Sequence, residues 1–249
     1  MAAIEILAFA GVVFVLAGIV KGVTGFGLPT LALGLLTLVT GHEAAMTLIL
    51  VPSFVTNLWQ ATTGGQLLAL LRRLWPFLFT ATVCVWIGTS VLTELPAGTA
   101  DTLLGALLIL YAVPGLFGMH VRIGSRRETV TGAAAGILNG VLTGLTGSFT
   151  VPGVFFLQSI GLGRDQLVQG MGLLFLASTL ALAVSLSGHG LLAGTQTVTS
   201  AAMVIPALAG VWLGSRIRRK LTDRGFRTVV LVVLFSLGAY LLIAGLLNL

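Results

Sequence analysis

The sequence predicts an all-α polytopic membrane protein built from two inverted repeats, each a broken helical hairpin followed by three transmembrane helices. Three observations carry that expectation. Apolar residues make up 57% of the 249-residue chain and charged residues only 8%, with a mean hydropathy of +1.09. A glycine-rich stretch occurs twice inside apolar sequence, as GIVKGVTGFGLPTL at 18–31 and GVLTGLTGSFTVPGVFFL at 140–157. The arginines collect in a few short segments between apolar runs.

Soluble domains carry about 25% charged residues. A chain with 8% has almost nothing with which to coat a water-facing surface, so the expected surroundings are a lipid bilayer. The net charge of +6 comes from basic residues between the apolar runs. Such residues set topology, and no nucleic-acid partner is expected. The single cysteine, Cys84, excludes an intramolecular disulfide. His42, His120 and His189 have no convergent partners in the sequence, so neither a metal nor a cofactor is expected. The first apolar run lacks a basic segment before Ile4 and a small-residue cleavage site, and is expected to remain in the mature protein.

A transmembrane helix needs about 20 mostly apolar residues. The region 4–40 is too long for one span and is broken by glycines. As helices, 4–20 would rise about 25 Å and 28–39 about 18 Å, giving a helix, a break and a shorter helix. Spans at 44–63, 74–93 and 102–119 follow and complete a first repeat, 1–121. The second repeat, 122–249, begins with a broken region at 129–160 and continues with spans at 166–187, 197–215 and 228–247. An offset of 122 places Gly22 on Gly144, Thr24 on Thr146, Gly25 on Gly147 and Glu43 on Asp165. It also places Thr56 on Ser178 and Asn57 on Thr179, and Trp86-Ile87-Gly88 matches Trp212-Leu213-Gly214 after a small shift. The two repeats together make one integral membrane domain.

Basic loops set orientation. Arg122, Arg126 and Arg127 mark one, Arg216 through Arg227 a second, and Arg72 and Arg73 a third. All three are expected in the cytoplasm. The segments near 94–101 and 189–196 hold no Lys or Arg and suit the outer face. The two strongest basic loops share a face only if the region 129–160 enters and returns. The repeats are then inverted and both termini are external.

Lipid offers no hydrogen bonds, so unwound backbone at membrane depth survives only inside protein or beside water. Inverted repeats with discontinuous helices are a transporter plan, in which half-helix N-termini direct their positive dipole ends at an anion. The candidate site is therefore the pair of breaks. Gly25, Gly27 and Gly147 allow close approach to the backbone. Thr24, Thr146 and Ser148 offer hydroxyls, Lys21 a full charge, and Phe26 and Phe149 complete the two segments. Asn57, with Thr56 and Gln60, is a candidate pathway residue in span 44–63. Each has a plainer role beside it: close helix packing for the glycines, snorkelling for Lys21, bonds to nearby carbonyls for the hydroxyls, and interhelical bonding for Asn57. All seven acidic residues (Glu5, Glu43, Glu94, Asp101, Glu128, Asp165 and Asp223) fall at predicted ends or loops. Proton relays and cation sites need a carboxylate within the span, so the substrate read from the residues is a small anion.

In GVTGFGLP, in its second copy GLTGSFTVP, and in two four-segment halves of this length, the chain resembles the TauE/SafE family of sulfite exporters and related anion permeases. The second copy departs from the family pattern at Ser148-Phe149, where further glycines are usual. The resemblance implies a non-enzymatic permease or exporter in the cytoplasmic membrane, moving sulfite or an organosulfonate. Alternating access at a central site formed by the two breaks is the expected mechanism. A passive anion channel of the same architecture, a scaffold without transport, and an intramembrane hydrolase using Ser148 and His189 are the competing readings, and a homo-oligomer stays open.

Overall fold

The computed structural model describes residues 3–96, 98–118, 122–192, 194–218 and 223–247. His120, named above among the histidines, and Arg219 and Lys220 of the second basic segment lie outside the described residues, as do the side chains of Arg218, Arg224 and Arg227. The described chain is all helical, without a strand: α1 Ala3–Thr24, α2 Leu28–Thr40, α3 His42–Thr62, α4 Leu67–Val83, α5 Val85–Leu92, α6 Thr99–Leu116, α7 Ser125–Thr146, α8 Gly153–Ser159, α9 Arg164–Gly188, α10 Gly194–Ala202, α11 Val204–Arg218 and α12 Asp223–Leu247. Eight segments are long and apolar enough to cross a membrane, with α4–α5 forming one of them and Thr197–Ile217 another. Large apolar side chains stand exposed along them, among them Trp59, Trp75, Phe79, Ile205 and Tyr240. In water so much apolar surface would drive association, whereas acyl chains accept it.

Two boundaries differ from those expected. α4 starts at Leu67, so Arg72 and Arg73 sit on a helix and not in a loop. Nothing between Leu67 and Leu74 stops a helix, and Leu70 and Leu74 are buried one turn apart. The glycine-rich stretches also stay helical for longer than expected. α1 runs through Gly18 and Gly22 to Thr24, and α7 through Gly140 and Gly144 to Thr146.

The helices group into two compact units, each drawing on both halves of the chain. One comprises Met1–Pro52, Pro96–Gly118 and Leu192–Leu249. In it α1 lies against α11 at backbone distance. A methyl added at Gly18 or Gly22 would strike the carbonyls of Ala207 or Val211, and one at Gly210 or Gly214 those of Val15 or Ile19. Glycines spaced by four put a smooth stripe on one helix face. α2 folds back along α1, since Leu31 and Leu35 line an apolar cavity of about 220 Å³ with Leu16, Ile19 and Val229. Pro52 in α3 has no N–H to offer the carbonyl one turn back, at Leu48. The fully buried Ser200 of α10 supplies the missing donor: its hydroxyl donates to Leu48 O at 2.8 Å and accepts the Val51 N–H at 3.2 Å. His42 Nδ1 lies 3.0 Å from Asp101 Oδ1. The two atoms lack the alignment of a hydrogen bond, and the contact ties the start of α3 to the first turn of α6.

The other unit comprises Ser53–Leu95 and Met119–Leu191. Here α7 lies against α4 and α5, again through glycines: a methyl at Gly140 would meet Ala81 O at 2.6 Å, and those at Gly144 and Gly88 would strike Val85 O and Val141 O. Gly22 with Gly214 and Gly144 with Gly88 are positions that the internal repeat equates, so one helix contact is built twice. α8 returns to the base of α7, where the Ile123 N–H donates to Ser159 O at 2.9 Å. Arg73 holds the same base, with Nε and one Nη on Glu128 at 2.7 and 2.9 Å and that Nη also on Ile160 O at 2.8 Å. α3 and α9 exchange glutamine bonds: Gln60 Nε2 donates to Val168 O at 2.8 Å, and Gln169 Nε2 to Ala61 O at 2.9 Å.

Candidate functional site

Each glycine-rich stretch divides into a packing part and a breaking part. In the first, Gly25 and Gly27 adopt φ of 83° and 101°, a region that costs a residue with a Cβ about 1–2 kcal/mol. The Gly25 N–H ends α1 on Lys21 O at 2.8 Å, and Gly27 caps α2. Phe26 sits between the two glycines, buried, with its ring edge-on to Tyr111 at 5.8 Å. In the second stretch, Gly147 has φ 68° and its N–H closes α7 on Thr143 O at 2.7 Å. The chain then stays non-helical from Ser148 to Pro152 and enters α8 at Gly153, later than expected, because Pro152 cannot extend a helix begun before it.

The two threonines do the same work in both breaks. Thr24 Oγ1 accepts the Phe26 N–H at 3.2 Å, and Thr146 Oγ1 accepts the Ser148 N–H at 3.2 Å. Each hydroxyl also reaches back four residues, Thr24 to Val20 O at 2.9 Å and Thr146 to Leu142 O at 2.7 Å. Thr24 has a second acceptor in Phe26 O at 2.8 Å, while in the other break the Ser148 carbonyl is held by Thr143 Oγ1 at 3.2 Å. Both threonines therefore bond to nearby carbonyls. They also satisfy the second amide beyond the helix end, which in lipid has no water to turn to.

Lys21 precedes the first break and is 5% exposed. A snorkelling lysine keeps its head in the interface, and this one is enclosed by protein. Ser148 and Phe149 are equally enclosed, with the Phe149 and Phe175 rings 6.3 Å apart. Asn57 is fully buried on α3, in the same unit as the second break. Its Nδ2 lies 3.5 Å from Thr179 Oγ1, a long hydrogen bond between two residues that the offset of 122 equates. Sequence reading missed Asn139 on α7, also fully buried, whose Oδ1 accepts the Gly153 N–H at 2.9 Å. Fourteen residues separate the partners, and no local pattern marks them.

His189 stands at the end of α9, with Nε2 on Ser90 Oγ at 3.2 Å and Nδ1 on Ser185 O at 2.8 Å. Its hydroxyl partner is thus Ser90 and not Ser148. Among the described residues no three His, Cys, Asp or Glu side chains gather as a metal site. The acids stand at helix ends or turns: Glu5, Glu43, Asp101, Glu128 and Asp165 in first turns, and Glu94 just after α5. The breaks are therefore polar without being acidic.

The sequence model of one protein family, described as sulfite exporter TauE/SafE, matches residues 10–241. No curated protein and no solved structure matches the chain.

Proposed function

The chain belongs to the sulfite exporter TauE/SafE family, and from that premise we propose that it is a secondary transporter moving a small anion, sulfite or an organosulfonate, across the cytoplasmic membrane. The substrate is held at the two glycine-rich breaks and passes by alternating access of an inverted repeat. Both termini lie outside. The observation that carries the reading is the duplicated break. At each one a threonine accepts the N–H two residues on, at 3.2 Å, next to a glycine of positive φ, in buried backbone with no carboxylate beside it. Such backbone, rich in N–H and hydroxyl donors, suits an anion. The buried charge of Lys21 adds attraction at the first break. The Asn57–Thr179 contact supports the repeat symmetry, because mates related by a two-fold axis meet where they approach it.

In this reading the backbone N–H groups at Gly27 and Phe149 and the Ser148 hydroxyl contact the substrate. Thr24 and Thr146 hold those segments open, and Asn57 lines the path. The test is thermal stabilisation of the purified protein by sulfite, sulfate, thiosulfate, sulfoacetate, a short carboxylate and chloride. A ligand at 100 times its Kd adds about 2.7 kcal/mol. Sulfite or sulfoacetate should stabilise selectively, and Thr146→Val should reduce the effect. Equal stabilisation by every anion, chloride included, would remove the sulfur assignment.

A further inference from the structure

The second break contains a donor that the protein itself leaves unused. Asn139 is fully buried on α7, and its orientation is fixed because Oδ1 accepts the Gly153 N–H at 2.9 Å. Nδ2, which carries two N–H donors, has no acceptor. A methyl on Gly153 would touch both Asn139 and Leu174 of α9, so α9 closes the other side of this spot. Ser178 lies one turn beyond Leu174 on the same face of α9. It is also fully buried, and its hydroxyl too has no partner. Next to it Thr179 is spoken for, donating to Phe175 O at 2.6 Å. An amide or hydroxyl buried without a partner is costly, and more so in a span. Asn139 touches the start of α8, and Ser178 stands one turn along α9 from the residue that touches the same point; two such donors suit an oxygen-bearing ligand.

We infer that Asn139 Nδ2 and Ser178 Oγ form a neutral two-donor subsite for an oxyanion beside the second break. The inference rests on the proposed anion-transport reading and names the residues that grip the anion's oxygens. Asn139 only donates at Nδ2, so it takes an oxygen with a free lone pair. Ser178 either donates to such an oxygen or accepts from a hydroxyl-bearing one.

The experiment is isothermal titration of the full-length protein in detergent with sulfite and with methanesulfonate, for wild type, Asn139→Asp and Ser178→Ala. Aspartate keeps the acceptor for Gly153 and replaces the donor with a negative charge. A carboxylate buried there costs stability, so the ligand-free unfolding temperature should fall, and affinity should fall by at least about tenfold, the scale of a lost hydrogen bond to a charged group. Ser178→Ala changes no bond within the protein and should also weaken binding. Wild-type affinity in both variants would overturn the subsite while leaving anion transport standing. If Asn139→Asp does not fold, Ser178→Ala alone decides, and unchanged affinity there overturns the subsite. A wild type that binds neither anion would sink the transport reading together with the subsite.

Discussion

Glycine at one position is not glycine at another. Gly22 and Gly144 are helical and have no Cβ because a neighbouring backbone lies where it would be. Gly25 and Gly147 sit at positive φ and end their helices. The two roles predict different damage. Gly144→Leu should fail to fold or lose several kcal/mol, since overpacking costs about 1–3 kcal/mol even where side chains can yield, and here the obstacle is backbone. Gly147→Ala should cost only about 1–2 kcal/mol but weaken anion binding. Thermal melts with and without sulfite separate the two. A Gly147→Ala protein with normal affinity would deny the break a part in binding. The Gly-x-Thr-Gly motif was legible in the sequence as a feature, and its division was not. Which glycine packs and which turns depends on Val211 against Gly22 and Val85 against Gly144, both far away in the chain. Asn139 was illegible for the same reason, as its role depends on Gly153 and α9. Thr24 and Thr146, equated by the offset of 122, make like bonds in the two breaks.

At the scale of elements, eight segments are long and apolar enough to cross a membrane, and helix breaks fall at 25–27 and 147–152 within the two regions expected to be broken. Misplaced boundaries came where nothing in the local sequence marks a stop, as at Leu67, or where proline delays a start, as at Pro152. Pro52 leaves the Leu48 carbonyl without its helical donor, and Ser200 serves that carbonyl. Ser200→Ala should leave the Leu48 carbonyl unpaired inside a span and cost about 1–3 kcal/mol. Ser200→Thr, which keeps the hydroxyl, should recover part of that, and equal melts for wild type and Ser200→Ala would contradict this role. The Arg73–Glu128 pair is two-pronged but partly exposed on the arginine side, where ion pairs contribute roughly 0.2–1 kcal/mol. A double-mutant cycle should return a coupling in that range. Arg73→Lys should not restore it, because a lysine cannot make the paired bonds.

For the whole molecule, charge placement is the guide to orientation. With the buried Cys84 replaced by alanine, single cysteines at Arg122 and Arg216 should react with an impermeant maleimide only from the cytoplasmic side, and one at Thr93 only from outside. Opposite accessibility of Arg122 and Arg216 would show that one broken region crosses once, and would remove the inverted repeat. The match over residues 10–241 places the chain in the sulfite exporter TauE/SafE family.

The central claim is carrier-mediated movement of a sulfur oxyanion through the two breaks. Its most direct test is counterflow of labelled sulfite into liposomes holding the purified protein. The account predicts saturable uptake, accelerated by unlabelled sulfite inside, and strongly reduced when Thr24 and Thr146 are both replaced by valine. Linear, unsaturable flux indifferent to internal sulfite would describe a channel, and flux no greater than in empty liposomes would contradict the claim outright.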